Sequence, residues 1–328
     1  MIIVVVQKLH HLLNKMLKKK YIGLILVLFL ISGCGSFSLN RGSISDVKIY
    51  TGTSGLELEF LKDNPPREVY EDQIFKATVF LRNDGAFDIS SGYLLIGLEE
   101  DYMKLLYEYD QRLDLQLNGK SMQTPVGEER IEEFTIKTKK IDPQTQEHES
   151  SIYVTSCYKY RTELHQDVCI DPDVYNLKPI EKACEVKDIS LSSQGAPVAI
   201  TKIEEKISSS ESEEIMIPQF IIYIQNKGKG EVIDERKIDD VCSAKPLTSE
   251  DINKLTIAAY LSGIPLECKP YELKLKNKQE KVICSLKEGI KKDEPAFTTL
   301  LSVILDYGYT QTISKKVTIK KLVLIRKI

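Results

Sequence analysis

Tryptophan is absent from the 328 residues, only four are histidine, and only one apolar run is long. Each scarcity closes a class of function. Beyond residue 33 only His148 and His165 remain, so Ser-His and Cys-His relays have few members to draw on. No G-x-S-x-G elbow, P-loop, H-E-x-x-H pair or G-x-G-x-x-G turn occurs. Their absence removes the common signatures of hydrolases, nucleotide binders, zinc proteases and dehydrogenases. Asn-x-Ser/Thr is missing too, so no N-glycan attachment is expected. One apolar run does not make a polytopic membrane protein. A basic excess is also lacking. Residues 1–33 carry five lysines and no acid, and taking five from 45 leaves 40 basic against 48 acidic side chains in the remainder. That balance has the wrong sign for neutralising phosphates, so no nucleic-acid partner is expected. A hydrophobic share of 42% is nonetheless too high for a disordered chain.

The most specific signal lies at the N-terminus. Lys18, Lys19 and Lys20 precede the apolar run Tyr21–Leu30, which leads through Ile31, Ser32 and Gly33 into Cys34. A positive patch, a short apolar stretch and small residues make a secretory signal. The run is short beside the roughly 20 residues a spanning helix needs. Met16 is a better start than Met1, because residues 2–6 place a second apolar patch ahead of the lysines. Ser32-Gly33-Cys34 resembles the lipobox of prokaryotic lipoproteins. That resemblance implies a signal peptide over 1–33, cleavage before Cys34 and lipidation of that cysteine. An uncleaved signal anchor is the alternative. Residues 34–46 then read as a flexible tether.

Six further cysteines follow: Cys157, Cys169, Cys184, Cys242, Cys268 and Cys284. An even count in an exported chain reads as disulfides. Spacing suggests Cys157 with Cys169 across the polar stretch between them, and Cys268 with Cys284 on adjacent strand-like runs. Cys184 with Cys242 is the remainder. Zinc is disfavoured because the closest cysteines are twelve positions apart, and no metal or other cofactor is expected. His165 reads as a solvated loop residue. Asp171-Pro172-Asp173, Asp239-Asp240 and the stretch Ser208–Glu214 offer oxygens for calcium or acid–base work, but none has regular loop spacing. They are expected to be surface acids. Ser156 and Lys159 match S-x-x-K inside a strand-like run.

From residue 45 onward strand signals dominate. Phe75, Ala77, Val79 and Leu81 alternate with Lys76, Thr78, Phe80 and Arg82, and Asn83-Asp84-Gly85 then breaks the run. Similar runs recur every ten or so residues. They predict an all-β chain of two tandem immunoglobulin-like β-sandwich domains, 47–190 and 198–328, joined by a linker at 191–197. Helical spacing competes only over Leu98–Leu117. Two landmarks repeat in order: VFLRNDG and IYIQNKG end 143 residues apart at Gly85 and Gly228, and Val154–Tyr160 parallels Val303–Tyr309 at an offset of 149. Each Tyr-x-Tyr, Tyr158 with Tyr160 and Tyr307 with Tyr309, puts two rings on one strand face. Core packing is the plain reading, and an aromatic interaction surface is the alternative.

NPPREVYEDQIFKATVFLRNDG and IPQFIIYIQNKGKGEV resemble the strand and turn of CARDB-type immunoglobulin-like domains. Chains of this make resemble envelope lipoproteins of archaea and other prokaryotes. The resemblance implies two-sheet adhesive or scaffolding units with no catalytic residues. The chain departs from it in its extra cysteines and in the insertion-like segment Asp234–Lys254. The expectation is a non-catalytic lipoprotein, anchored at the cell surface and presenting its sandwiches to an envelope protein or a surface glycan. A solute-binding lipoprotein and an exported hydrolase are the competing classes.

Overall fold

Alternation of apolar and polar residues is carried into strands along most of the described residues. A computed structural model describes residues 49–107, 111–175, 181–210, 214–243 and 248–322, so the signal, Cys34 and the tether lie outside the described residues. The first half forms β1 (Leu56–Phe60), β2 (Glu68–Tyr70), β3 (Ile74–Asn83), β4 (Gly92–Leu98), β5 (Met103–Leu105), β6 (Arg112–Asp114), β7 (Glu129–Thr138) and β8 (Glu147–Ile170). The second forms β9 (Ile189–Ser190), β10 (Val198–Ser209), β11 (Ile215–Asn226), β12 (Glu231–Ile233), β13 (Lys254–Leu261) and β14 (Ile264–Pro265). It continues with β15 (Glu267–Lys269), β16 (Glu272–Lys274), β17 (Gln279–Ser285), β18 (Ile290–Lys291) and β19 (Phe297–Lys320). The described body is all-β, as the sequence predicts. Among the described residues of Leu98–Leu117, β5 and β6 are strands, and residues 108–110 lie outside the described residues.

Sheet order exposes an internal duplication. One outer sheet runs β1-β3-β7-β5, and the other runs β10-β11-β17-β15 with β9 added beside β10. The order in which the strands are used is the same in both. The central sheet runs β14-β13-β19-β8-β4-β6, so its two flanks also correspond. β8 and β19 are each 24 residues long and pair antiparallel over their full length. The register sets Tyr160 opposite Tyr307, Lys159 opposite Gly308 and Tyr158 opposite Tyr309. An offset of 149 carries Lys159 onto Gly308, so this pair joins a residue to its own repeat equivalent and marks a pseudo-twofold axis.

The duplication therefore does not give two separate sandwiches. Strands of 24 residues far exceed the about 5–6 typical of a sandwich. Pairing along their whole length fuses the two halves through one sheet, and Val47–Ile328 is one compact unit. The expected linker at 191–197 is packed rather than free. Gln194 is buried and closes a pair of hydrogen bonds with Ile200, its amide donating to the Ile200 carbonyl at 3.1 Å and its carbonyl accepting from the Ile200 N–H at 2.8 Å. Ala86 N–H donates to the Gly195 carbonyl at 2.7 Å.

Cysteine pairing also differs from expectation. The structure joins Cys157 to Cys242, Cys169 to Cys184 and Cys268 to Cys284. Only the last follows the spacing argument. Cys157 and Cys169 lie on one extended strand, where twelve steps span about 40 Å, far beyond disulfide reach. Instead, Cys157 anchors the segment that follows β12. There a helical turn, Glu235–Lys237, and a helix, Ile238–Val241, place Ile233, Ile238 and Cys242 in a small second core over the central sheet. Gly308 lies directly beneath, where a Cβ would come within 2.7 Å of both Ile233 and Ile238. The first part of the insertion-like segment, Asp234–Cys242, thus forms a lid on the axis. Among the described residues no helix is long and apolar enough to cross a membrane.

Candidate functional site

The four tyrosines flanked by the axis are core, not surface. Tyr158, Tyr160, Tyr307 and Tyr309 are at most 2% exposed, and their rings meet in edge and tilted contacts with centroids 5.6–6.4 Å apart. They are packed in the core, as the plain reading has it, and do not form the interaction surface of the alternative. Their hydroxyls are the reason buried tyrosine is affordable here. Tyr158 OH accepts from Leu56 N–H at 3.0 Å, and its equivalent Tyr307 OH accepts from Val198 N–H at 3.4 Å. Tyr160 OH donates to Asn83 Oδ1 at 3.2 Å, and Tyr309 OH donates to Asn226 Oδ1 at 3.3 Å. The two N-x-G turns therefore recur because each asparagine caps a buried tyrosine. Burial pushes all four phenols up, Tyr309 to about 12. They stay neutral at physiological pH and supply hydrogen bonds, not nucleophiles.

Other sequence candidates disperse. Ser156 points into the core while Lys159 is exposed, because residues three apart on a strand face opposite sides. Ser150 donates to Glu99 Oε2 at 2.5 Å, the same oxygen that His148 Nε2 meets at 3.3 Å, and the His148 ring stacks on Tyr102. The Ser150 hydrogen bond lowers the Glu99 pKa, which makes that carboxylate a poor base for activating a hydroxyl. His165 meets Ser302 Oγ at 3.0 Å across exposed strands. Asp239 accepts from Tyr93 OH at 2.7 Å and from Arg112 at 3.2 Å, which ties the short helix down. Asp171 is held by Lys182. Among the described residues no group of three or more His, Cys, Asp or Glu converges as a metal site would.

One titratable group is out of balance. Glu205, on β10, is 9% exposed, and its Oε1 has no hydrogen-bond partner among the described residues. Burial, reinforced by the Asp171 charge, pushes its pKa up to about 8. A carboxyl raised in the folded state favours folding when protonated. Its contribution is complete below the unfolded value and is lost as pH rises toward 8. Wild type should therefore lose about 4 kcal/mol between about pH 4.5 and 8 relative to Glu205→Gln. Urea melts of both proteins across that range check this, and parallel curves would contradict it.

A concave feature remains where the pseudo-symmetry breaks. A half-open groove of about 320 Å³ runs along residues 53–59, with Lys227 and Lys229 on the facing turn and Gln311 and Tyr309 on the β19 side. In the other half the corresponding space is closed. There Ala86 N–H reaches the Gly195 carbonyl, and Thr162 Oγ1 donates to the Val198 carbonyl at 2.6 Å. At the position equivalent to Thr162, Gln311 lines the groove instead. Sequence reading missed this site because its lining is drawn from residues 53–59, Asp84, Pro197, 227–229, Tyr309 and Gln311, which lie far apart in the chain and share no local motif. The repeat itself was the available signal, since it matches β1 to β10, and among the described residues only β10 has a covering strand.

No family model matches this chain, and no curated protein matches it. Among solved structures it aligns with the C-terminal domain of the Streptococcus pyogenes antigen I/II-family protein AspA at 7% identity, covering 82% of this chain and 100% of that chain with a TM-score of 0.15. A score that low carries no argument about fold or role.

Proposed function

We propose that this chain is a non-catalytic lipoprotein of the cell envelope, tethered through Cys34, whose fused β-body serves as a rigid binding module. The observation that carries the extracytoplasmic part is the set of three disulfides, because disulfides form and persist in oxidising compartments and are rare in the cytosol. The lipobox resemblance supports the anchor. The binding role is supported by the architecture: a half-open groove of about 320 Å³ runs beside β1, with Glu57, Glu59, Lys227 and Lys229 among its lining residues. The partner would be an envelope protein or a surface glycan.

Intact-mass measurement on protein from the membrane fraction of its own host tests this. The expected result is a mature chain beginning at Cys34 and carrying lipid. A chain retaining residues 1–33 and no lipid would overturn the anchor.

A further inference from the structure

We propose that the groove beside β1 is a strand-pairing site for an extended segment of a partner protein. This rests on the binding-module reading and names its site. β1 is the last strand of its sheet, bonded to β3 on one side and to no strand on the other among the described residues. Its repeat equivalent, β10, is not left so. β9 pairs antiparallel with β10, with Ser190 opposite Lys202 and Ile189 opposite Ile203, and Leu191 N–H donates to the Thr201 carbonyl at 2.9 Å. The fold thus already seats a short extended segment in one copy, beside Lys202 and Ile203, which correspond to Glu59 and Phe60, and an open edge strand is a template for another chain.

Side chains set the composition of that segment. Leu56 and Leu58 point inward from β1, and Glu57 and Glu59 alternate outward. Glu57 is paired with Arg82 at 2.5 Å, while Glu59 is exposed and makes no ion pair among the described residues. On the facing turn Lys227 donates to the Ser192 carbonyl at 2.9 Å, while Lys229 is exposed and also without an ion pair among the described residues. One rim therefore offers a free negative charge and the other a free positive one. The segment that fits alternates apolar side chains, facing in, with outward side chains of both signs, the basic one beside Glu59. Opposite charges directly across strands add modestly to pairing, and like charges subtract.

The test uses the full-length chain in detergent and the labelled peptide Ac-KVEVKVE-NH2. Fluorescence anisotropy should show saturable binding, and amide exchange at residues 53–59 should slow by about tenfold. Glu59→Lys, an exposed change that leaves β1 pairing intact, should weaken binding by about fivefold. The same peptide N-methylated at alternate residues, which cannot donate to a strand, should not bind. Unchanged exchange at 53–59 under saturating peptide, or equal binding of the N-methylated form, overturns the proposal. These readouts do not depend on lipidation. An unlipidated N-terminus would sink the anchor alone, and a silent groove in a lipidated protein would sink only this site.

Discussion

Asn83→Ala should lower folding stability by about 4 kcal/mol, and Asn226→Ala by about 3 kcal/mol. Asn83 is fully buried and makes four hydrogen bonds. It donates to the Phe87 carbonyl at 2.8 Å and the Leu117 carbonyl at 3.0 Å, and accepts from Gly85 N–H and Tyr160 OH, each at 3.2 Å. Asn226 makes three, to the Gly230 carbonyl at 3.0 Å and from Gly228 N–H and Tyr309 OH. Alanine leaves the Phe87 carbonyl and Gly85 N–H in one copy, and the Gly230 carbonyl in the other, without that partner, at about 1–3 kcal/mol for each group that cannot reach water, while the Leu117 carbonyl, Gly228 N–H and both tyrosine hydroxyls each keep a second bond. Asn83 sits deeper in bonds, so its loss should be the larger. Urea denaturation of the two variants beside wild type measures this. A loss below about 1 kcal/mol at both sites would mean that these turns are ordinary hairpin tips rather than supports for the tyrosine core.

Removing the disulfide over the axis should be the other large effect. Cys157 and Cys242 are 85 residues apart, against 15 for Cys169 and Cys184. Chain-entropy reasoning gives about 4.6 kcal/mol for the longer loop and about 3 kcal/mol for the shorter. The longer bridge also holds Ile233 and Ile238 over Gly308, so its loss would uncover the second core as well. Cys157→Ala with Cys242→Ala should therefore destabilise more than Cys169→Ala with Cys184→Ala when both are compared by urea melts. The reverse order would contradict the lid role given to the insertion.

Much of this was legible before the structure. The period-two runs name nearly every long strand, and the two repeat offsets locate the tyrosines and asparagines that turn out to be symmetry mates. What misled was polarity. Lys159, Arg161, Glu163, His165 and Asp167 make the stretch after Tyr158 look like a hairpin tip, yet they alternate with Tyr160, Thr162 and Leu164, which are buried. A strand with one solvated face carries that pattern. Reading through it extends β8 to Ile170, which rules out Cys157 with Cys169 and shows that the halves share a sheet. The partner of Cys157 lay in the insertion, far along the chain, and no local spacing could announce it. The groove is harder still. It exists because Gln311 stands where its repeat counterpart Thr162 bonds the Val198 carbonyl, and a difference between two copies becomes visible only once their strands are aligned in space.

Full-length pairing of β8 with β19 fuses two repeats into a single body locked by three disulfides. Peptide mapping by mass spectrometry under non-reducing conditions, on protein purified from its own host, tests it most directly. The account predicts three linked pairs, Cys157 with Cys242, Cys169 with Cys184 and Cys268 with Cys284. A Cys157–Cys169 link would contradict it, because those residues cannot meet while β8 is one strand, and six free thiols would contradict the compartment.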